Sequence, residues 1–321
     1  MQQTFYDFSA FEMLENRKPL LVCDPAFDIA LPCSFVRFRD FHANPRYEDV
    51  ETGIEMLLKN KCDFLVAIGG GSCMDVAKGI KYYGSVDFPI LAVPTTSGTG
   101  SEATHFAVIY VDGEKHSIAD PKILPDYVIL QPDMLRTLPV YQKKCTMLDA
   151  LCQAIESWWS PTATAESIAY SREAIGLILD SMEPYLRNQE NGNRNMLIAS
   201  NLAGKAINIT ATTAPHAMSY KLTSLFGLPH GHAVAICLPK VWRYMGCFDE
   251  IARALGQKDA GDAVVFLEDL LQRLDIRPPK DVTLEDIDIL TDSVNTQRLR
   301  NSPVWLAPEM IRELYKEILE V

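Results

Sequence analysis

Histidine is scarce: only six occur in 321 residues, at His42, His105, His116, His216, His230 and His232. No two cysteines stand in C-x-x-C spacing, which removes the dithiol-redox and ribbon-type zinc patterns. The eight that are present, Cys23, Cys33, Cys62, Cys73, Cys145, Cys152, Cys237 and Cys247, fall mostly in apolar or helical surroundings and read as reduced, packed thiols. No apolar stretch approaches the roughly 20 residues needed to span a bilayer. The opening MQQTFYDFSAFEML has no basic segment leading into an apolar run, so a secretory signal is not expected and a soluble, cytoplasmic protein is. Positive charge is short: 30 Lys and Arg stand against 42 Asp and Glu, a formal net charge of -12. Such a surface repels phosphate backbones and argues against a nucleic-acid partner, while a local pocket can still attract a small anion. Neither G-x-G-x-x-G nor the G-K-[ST] of a P-loop is present, and there is no internal repeat.

What is there is an ordinary globular balance, 48% hydrophobic and 22% charged, at a length suited to two domains. Short buried strands are expected at 19–23, 36–38, 63–68, 89–94 and 127–132, with a hairpin at 106–120 turning on Asp112-Gly113. Helices are expected at 46–60 and directly after Ser72, over CMDVAKGIKYYG. This alternation predicts a mostly parallel sheet with helices on both faces. From about Tyr141 the periodicity is helical almost to the end, with helices expected at 141–159, 163–187, 193–208, 213–225, 232–245, 247–256, 260–274, 284–292 and 307–319. The expected division is an α/β domain over 1–138 and an all-helical domain over 139–321.

Two glycine-rich turns follow buried strands. Gly69-Gly70-Gly71-Ser72 leads into a helix, and TTSGTGS at 95–101 ends the next strand. Glycine lets backbone approach a phosphate, and a helix N-terminus offers unpaired N–H donors with a partial positive charge. Two such turns at neighbouring strand ends would bracket a pyrophosphate; tight connections that bind nothing are the plainer alternative. Asp24, at the end of the 19–23 strand, suits ribose hydroxyls and would repel a 2′-phosphate, though a turn-forming Asp before Pro25 gives the same pattern.

In the helical half, Asp149 and Gln153 stand four apart and share a helix face that is otherwise apolar. A buried carboxylate is costly unless paired, hydrogen-bonded or metal-bound. Asp149 with His216 and His230 would make an N/O site suited to iron(II) or zinc, with Gln153 adding a neutral oxygen; local capping by Asp149 is the alternative. Thr210, Thr213 and Lys221 flank His216 and would favour an oxyanion-bearing substrate, or else form a solvated helix face.

Four motifs, AIGGGSCMDVAKGI (67–80), VPTTSGTGSEAT (93–104), LDALCQAIES (148–157) and APHAMSY…LPHGHAVAICLP (214–239), make the chain resemble the iron-containing, or group III, alcohol dehydrogenases over nearly its full length. The resemblance implies a dehydroquinate synthase-like architecture: a dinucleotide-binding α/β domain, a helical metal domain and a cleft between them. It places Gly69, Gly70, Gly71 and Ser72 at the pyrophosphate and sets Asp24, Thr95, Thr96, Thr99 and Lys115 around the rest of NAD(H), with NADP as the alternative. It makes Asp149, His216 and His230 ligands of Fe2+ or Zn2+. Two positions depart from the family pattern: Gln153 stands where a histidine is usual, and Tyr220 stands four residues after His216 where another is common. One branch, the hydroxyethylphosphonate dehydrogenases that reduce phosphonoacetaldehyde, is similar at both departures, in DALxQAIESxWS and NITxTTAPHAxSYxLTSxFGxPHGHAVA.

The expected activity is therefore interconversion of an aldehyde and an alcohol, with phosphonoacetaldehyde as the expected substrate and a general short-chain or lactaldehyde-type reductase as the alternative. A cation would polarise the carbonyl, His232 or Tyr220 would relay a proton through water, with the cofactor ribose as another candidate donor, and His105 would reach the cleft. The sequence leaves open a dehydroquinate synthase-like cyclase or lyase, an inactive cofactor sensor, and a homodimer.

Overall fold

The winding of the chain through its sheet reverses between two neighbouring strands, and the candidate site lies at that reversal. The computed structural model describes residues 2–321. Eight strands, β1 (Gln3–Phe5), β2 (Pro19–Cys23), β3 (Val36–Phe38), β4 (Phe64–Gly69), β5 (Ile90–Pro94), β6 (Phe106–Val111), β7 (Glu114–Ala119) and β8 (Tyr127–Ile129), precede nearly all the helix. Six of them form a wholly parallel sheet in the order β1-β8-β5-β4-β2-β3, and β6 and β7 form a separate antiparallel hairpin. From β2 the chain steps outward to β3. It then crosses back through α1 (Tyr47–Lys59) to β4 on the other side of β2 and continues through α2 (Gly71–Tyr83) to β5. The winding therefore changes direction between β2 and β4. Crevices outside the carboxyl ends of strands at such a point are where open α/β sheets bind ligands.

Alternate strand residues explain why both faces are apolar. Leu20, Val22, Leu65, Ala67, Ile90, Ala92 and Val128 join the main core under α1 and α2. Leu21, Cys23, Phe64, Val66, Ile68, Leu91, Val93 and Ile129 face the other way, under Ala10, Phe11 and Leu14. The period-two split follows from the pleat. That second face is covered by a 3-10 helix at Phe8–Leu14 and the Leu31 loop rather than by α-helices.

The helical half comprises α3 (Val140–Trp159), α4 (Ala165–Leu186), α5 (Glu190–Thr210), α6 (Ala214–Phe226), α7 (His230–Met245), α8 (Asp249–Ala254), α9 (Ala260–Arg273), α10 (Leu284–Ser293), α11 (Thr296–Leu299) and α12 (Pro308–Leu319). Every residue of α3 from Met147 to Trp159 is buried, so it is the central helix against which α4, α5 and α7 pack. The main apolar cluster is continuous from Leu20 in the sheet to Leu319 in the last helix.

The strand and helix expectations hold to within two or three residues at most ends, with three differences. β1 is not expected from the sequence; one exposed and two half-buried residues carry no readable period, and only pairing with β8 makes them a strand. The strand expected to run to residue 132 stops at Ile129, because Pro132 opens a 3-10 helix. The short α11 follows α10 after only two residues and is not expected either. All eight cysteines are free thiols.

Candidate active site

The first glycine turn lies on one side of the reversal. Gly70 caps α2 with no side-chain hydrogen bond, which leaves the first backbone N–H groups of the helix available. Asp24 stands across from it: its backbone N–H donates to Ile68 O at 2.9 Å, and a Cβ on Gly69 would lie 3.5 Å from the Asp24 Cβ. One Asp24 oxygen accepts from Ala26 N–H at 2.8 Å, so the turn-forming role is real. Ser72 donates its hydroxyl to Ala43 O and so ties the turn to the loop before α1.

The second turn lies beside the first because β4 and β5 are neighbours, with Gly69 opposite Pro94 and Thr95 N–H donating to Gly69 O at 3.0 Å. A Cβ on Gly70 would meet Thr96 at 3.3 Å, and one on Gly71 would meet Thr99 at 3.1 Å. Thr95 is buried, while Thr96 and Thr99 are half-buried. The fully buried Lys78 of α2 holds this turn from behind by donating to Ser101 O at 2.6 Å and Phe106 O at 2.7 Å. Its other side is pressed onto the helical half. Gly100 adopts φ +59 and lies so close to Gly204 of α5 that a Cβ would approach the Gly204 Cα at 2.6 Å. Gln153 Nε2 on α3 donates to Thr99 O at 3.3 Å.

One helical turn before Gln153, Asp149 joins His216 and His230, and a ligand atom from each lies within 4.8 Å of the others. The pieces come from three helices. α6 and α7 are joined by Gly227-Leu228-Pro229, and His230 is the first helical residue of α7. Gly231 lets α7 touch α3: a Cβ there would stand 1.9 Å from Cys145 O and 2.9 Å from the Asp149 Cβ. Asp149 Oδ1 is 3.3 Å from His216 Nε2 and 3.9 Å from His230 Nε2. Two atoms bound to one ion at zinc- or iron-like lengths stand at most about 4.2 Å apart, so both separations suit a shared cation. Gln153 Oε1 fits the same purpose, since it is a buried oxygen with no hydrogen-bond partner.

Behind the ligands stands Glu156, to which the sequence reading gave no role. It is fully buried, pairs with His216 Nδ1, and accepts from Thr213 N–H and Thr213 Oγ1, each at 2.7 Å. A carboxylate behind a histidine fixes which nitrogen faces the ion and strengthens its donation. The signal was present: Asp149, Gln153 and Glu156 fall at i, i+4 and i+7 on one apolar helix. Burial would lower the His216 imidazole, but Glu156 and Asp149 outweigh it and lift it to about 9. Desolvation takes His230 down to about 4, so that ring is neutral at ordinary pH. Burial pushes the Asp149 carboxyl up, and the two histidines outweigh it and hold it below its usual value. Replacing Glu156 with glutamine is expected to weaken metal affinity about 10- to 100-fold with the fold intact, as read by competition with a chromophoric chelator.

Several candidate residues stand elsewhere than expected. His232 is not in the cluster: two positions past His230 it points about 200° round the helix. Its ring nitrogens are taken by Tyr141 Oη at 2.8 Å and Arg277 O at 2.7 Å. His105 is bound to Asn208 Oδ1 at 2.6 Å. Thr210 is buried and donates to Ser157 Oγ at 2.9 Å, and the Thr213 hydroxyl serves Glu156 and Trp159, so neither hydroxyl is presented to a substrate. Lys221 is half-buried on α6, and among the described residues no hydrogen bond or ion pair ties its side chain to the cluster. Tyr220 does arrive: its ring lies parallel to His230 with centroids 5.7 Å apart. The Lys115 ammonium sits 3.3 Å from the Tyr220 ring centroid, and desolvation, with help from Arg298, takes it down to about 7. Arg298 donates to the Tyr220 hydroxyl. No sequence signal marked Arg298, which is carried by a helix too short to show a period.

This layout has known counterparts. The family described as iron-containing alcohol dehydrogenase matches residues 9–132, and its C-terminal region matches residues 144–319. The chain belongs to the iron-containing alcohol dehydrogenase family. It is 31% identical to alcohol dehydrogenase 4 of Schizosaccharomyces pombe over 309 residues, covering 86% of this chain and 73% of that one. It is also 31% identical to phosphonoacetaldehyde reductase of Streptomyces viridochromogenes over 231 residues, covering 63% of this chain and 58% of the relative. Among solved structures, sulfoacetaldehyde reductase from Bifidobacterium kashiwanohense in complex with NAD+ superposes with a TM-score of 0.93 at 28% identity, covering 99% of this chain and 97% of that one. The α/β-then-helical architecture of this alcohol dehydrogenase is that of its family. Among the described residues no helix is long and apolar enough to cross a membrane.

Proposed function

We propose that this alcohol dehydrogenase uses NAD(H) and a divalent cation, Fe2+ by the family's habit, to interconvert a short aldehyde and its primary alcohol, with phosphonoacetaldehyde as substrate. The observation that carries the reading is the convergence of Asp149, His216 and His230 next to the two glycine turns, bridged by the Gln153–Thr99 hydrogen bond. When bound, the cation supplies electrophilic polarisation of a carbonyl and the reduced nicotinamide supplies hydride. Asp149, His216 and His230 would hold the cation, with Gln153 as a fourth donor. Glu156 orients His216. Gly69 to Ser72, with Thr95, Thr96 and Thr99, would receive the pyrophosphate and its neighbours, and Asp24 the adenosine ribose. The phosphonate part of the reading is supported by the reductase relative and by the sulfoacetaldehyde reductase likeness, both named for aldehydes that carry an anionic group.

Chelation followed by re-addition tests the reading. NADH oxidation with an aldehyde panel is expected to vanish on demetallation and return with iron(II) or zinc. Because His216 holds a proton below about pH 9 when no cation competes, re-addition at neutral pH is expected to release protons, and affinity is expected to rise with pH. Unchanged turnover in fully demetallated protein would remove the electrophile from the account.

A further inference from the structure

Arg298 has no carboxylate partner: none of the arginine ion pairs among the described residues includes it. Its hydrogen bonds go to neutral oxygens, from Nη1 to the Tyr220 hydroxyl and from Nη2 to Ser117 Oγ at 2.7 Å. A guanidinium has five N–H donors, so most of the fork is left for another acceptor. Its Cζ lies 4.9 Å from the centroid of the Tyr220 ring, on which the Lys115 ammonium also rests. Desolvation, helped by Arg298, takes Lys115 down to about 7 while Asp75 pulls the other way, so an anion reaching Arg298 would also favour the charged form of Lys115. The other neighbour of that ring is His230, stacked parallel at 5.7 Å, so the paired charges stand one aromatic ring away from the expected metal ligand. They are assembled from distant parts of the chain: Lys115 and Ser117 from the β6–β7 hairpin, Arg298 from α11.

We infer that Arg298, seconded by Lys115, binds the anionic end of the substrate and makes the enzyme selective for short aldehydes carrying a phosphonate or sulfonate. The inference rests on the aldehyde–alcohol reading and adds to it a residue that sets specificity. Arginine suits the task because its planar fork matches two oxygens of a tetrahedral anion and keeps its charge at every working pH. The other anion available in this cleft is the pyrophosphate of the dinucleotide, and the test separates the two.

Titration calorimetry of 2-hydroxyethylphosphonate into the metal-loaded protein with NADH, which cannot react with the alcohol, is the direct measurement. Arg298→Gln is expected to weaken binding about 10- to 100-fold, the value of a lost charged hydrogen bond, and Arg298→Lys is expected to recover part of the loss. The ratio of kcat/KM for phosphonoacetaldehyde over propionaldehyde is expected to fall by a similar factor, through KM. Circular dichroism melts of both variants confirm the fold. The inference is overturned if the wild type binds 2-hydroxyethylphosphonate no better than 1-propanol, if the variants leave both the affinity and the ratio unchanged, or if NADH affinity falls by the same factor as phosphonate affinity. Absence of NADH oxidation with every aldehyde, alongside an intact Arg298 effect on phosphonate binding, would defeat the redox reading and leave the anion site standing.

Discussion

Asp149→Ala is expected to lower aldehyde reduction by about 10³-fold or more and to leave the purified protein with little bound metal. The size follows from position. Asp149 is 2% exposed, faces both histidines and is the only carboxylate among the three candidate ligands. Alanine would leave two imidazoles and the Gln153 amide, a neutral set too weak to hold a divalent cation against water and the proton on His216. Polarisation of a carbonyl is worth several kcal/mol, and each 1.36 kcal/mol is tenfold in rate. Elemental analysis beside steady-state rates is the check, with circular dichroism to show that the helices persist. Full metal content with near-normal turnover would mean that the cation sits somewhere else.

Gly231→Ala is expected to be the most damaging single methyl group in the molecule. Its Cβ would stand 1.9 Å from Cys145 O and 2.8 Å from the Cys145 carbonyl carbon, both backbone atoms of the central helix that no rotamer change can move aside. α7 must lift off α3, which carries His230 away from Asp149 and opens the buried seam of Val234, Leu238 and Val241. Overpacking of this kind costs about 3 kcal/mol or more, so a lower melting temperature and a lower metal content are expected together. Gly176→Ala is the control. It lies within α4 with nothing within 4 Å of the added carbon, so it is expected to be neutral or stabilising by up to about 1 kcal/mol. Equal melting of the two variants would show that the α3–α7 contact yields easily.

The sequence made some of this legible and hid the rest, for identifiable reasons. Long helices and buried parallel strands announce themselves through period and run length, and α3 could be read from 141 to 159 because its twenty residues repeat the pattern many times. β1 and α11 could not, because three or four residues carry no period and owe their shape to neighbours. The glycine turns were legible as backbone permissiveness, but only the strand order shows that they are adjacent and astride the reversal. At the site, residue type pointed to Asp149, His216 and His230, which the fold brings together. Type alone could not show that His232, two positions on, turns its ring to Arg277, or that the Thr213 hydroxyl is spent on Glu156. Those assignments depend on helix phase and on partners that lie more than forty residues away.

Glu156 has a wider effect than the orientation of one ring. With neutral imidazoles, the carboxylates of Asp149 and of Glu156 behind His216 carry two negative charges, and a divalent ion held by the cluster would bring the local sum to zero. A loaded centre of that kind casts little long-range field across the cleft. An incoming anion would then be steered by what stands on the rim and not by the ion at the bottom, so discrimination among aldehydes and the reactivity of the carbonyl could be altered by separate mutations.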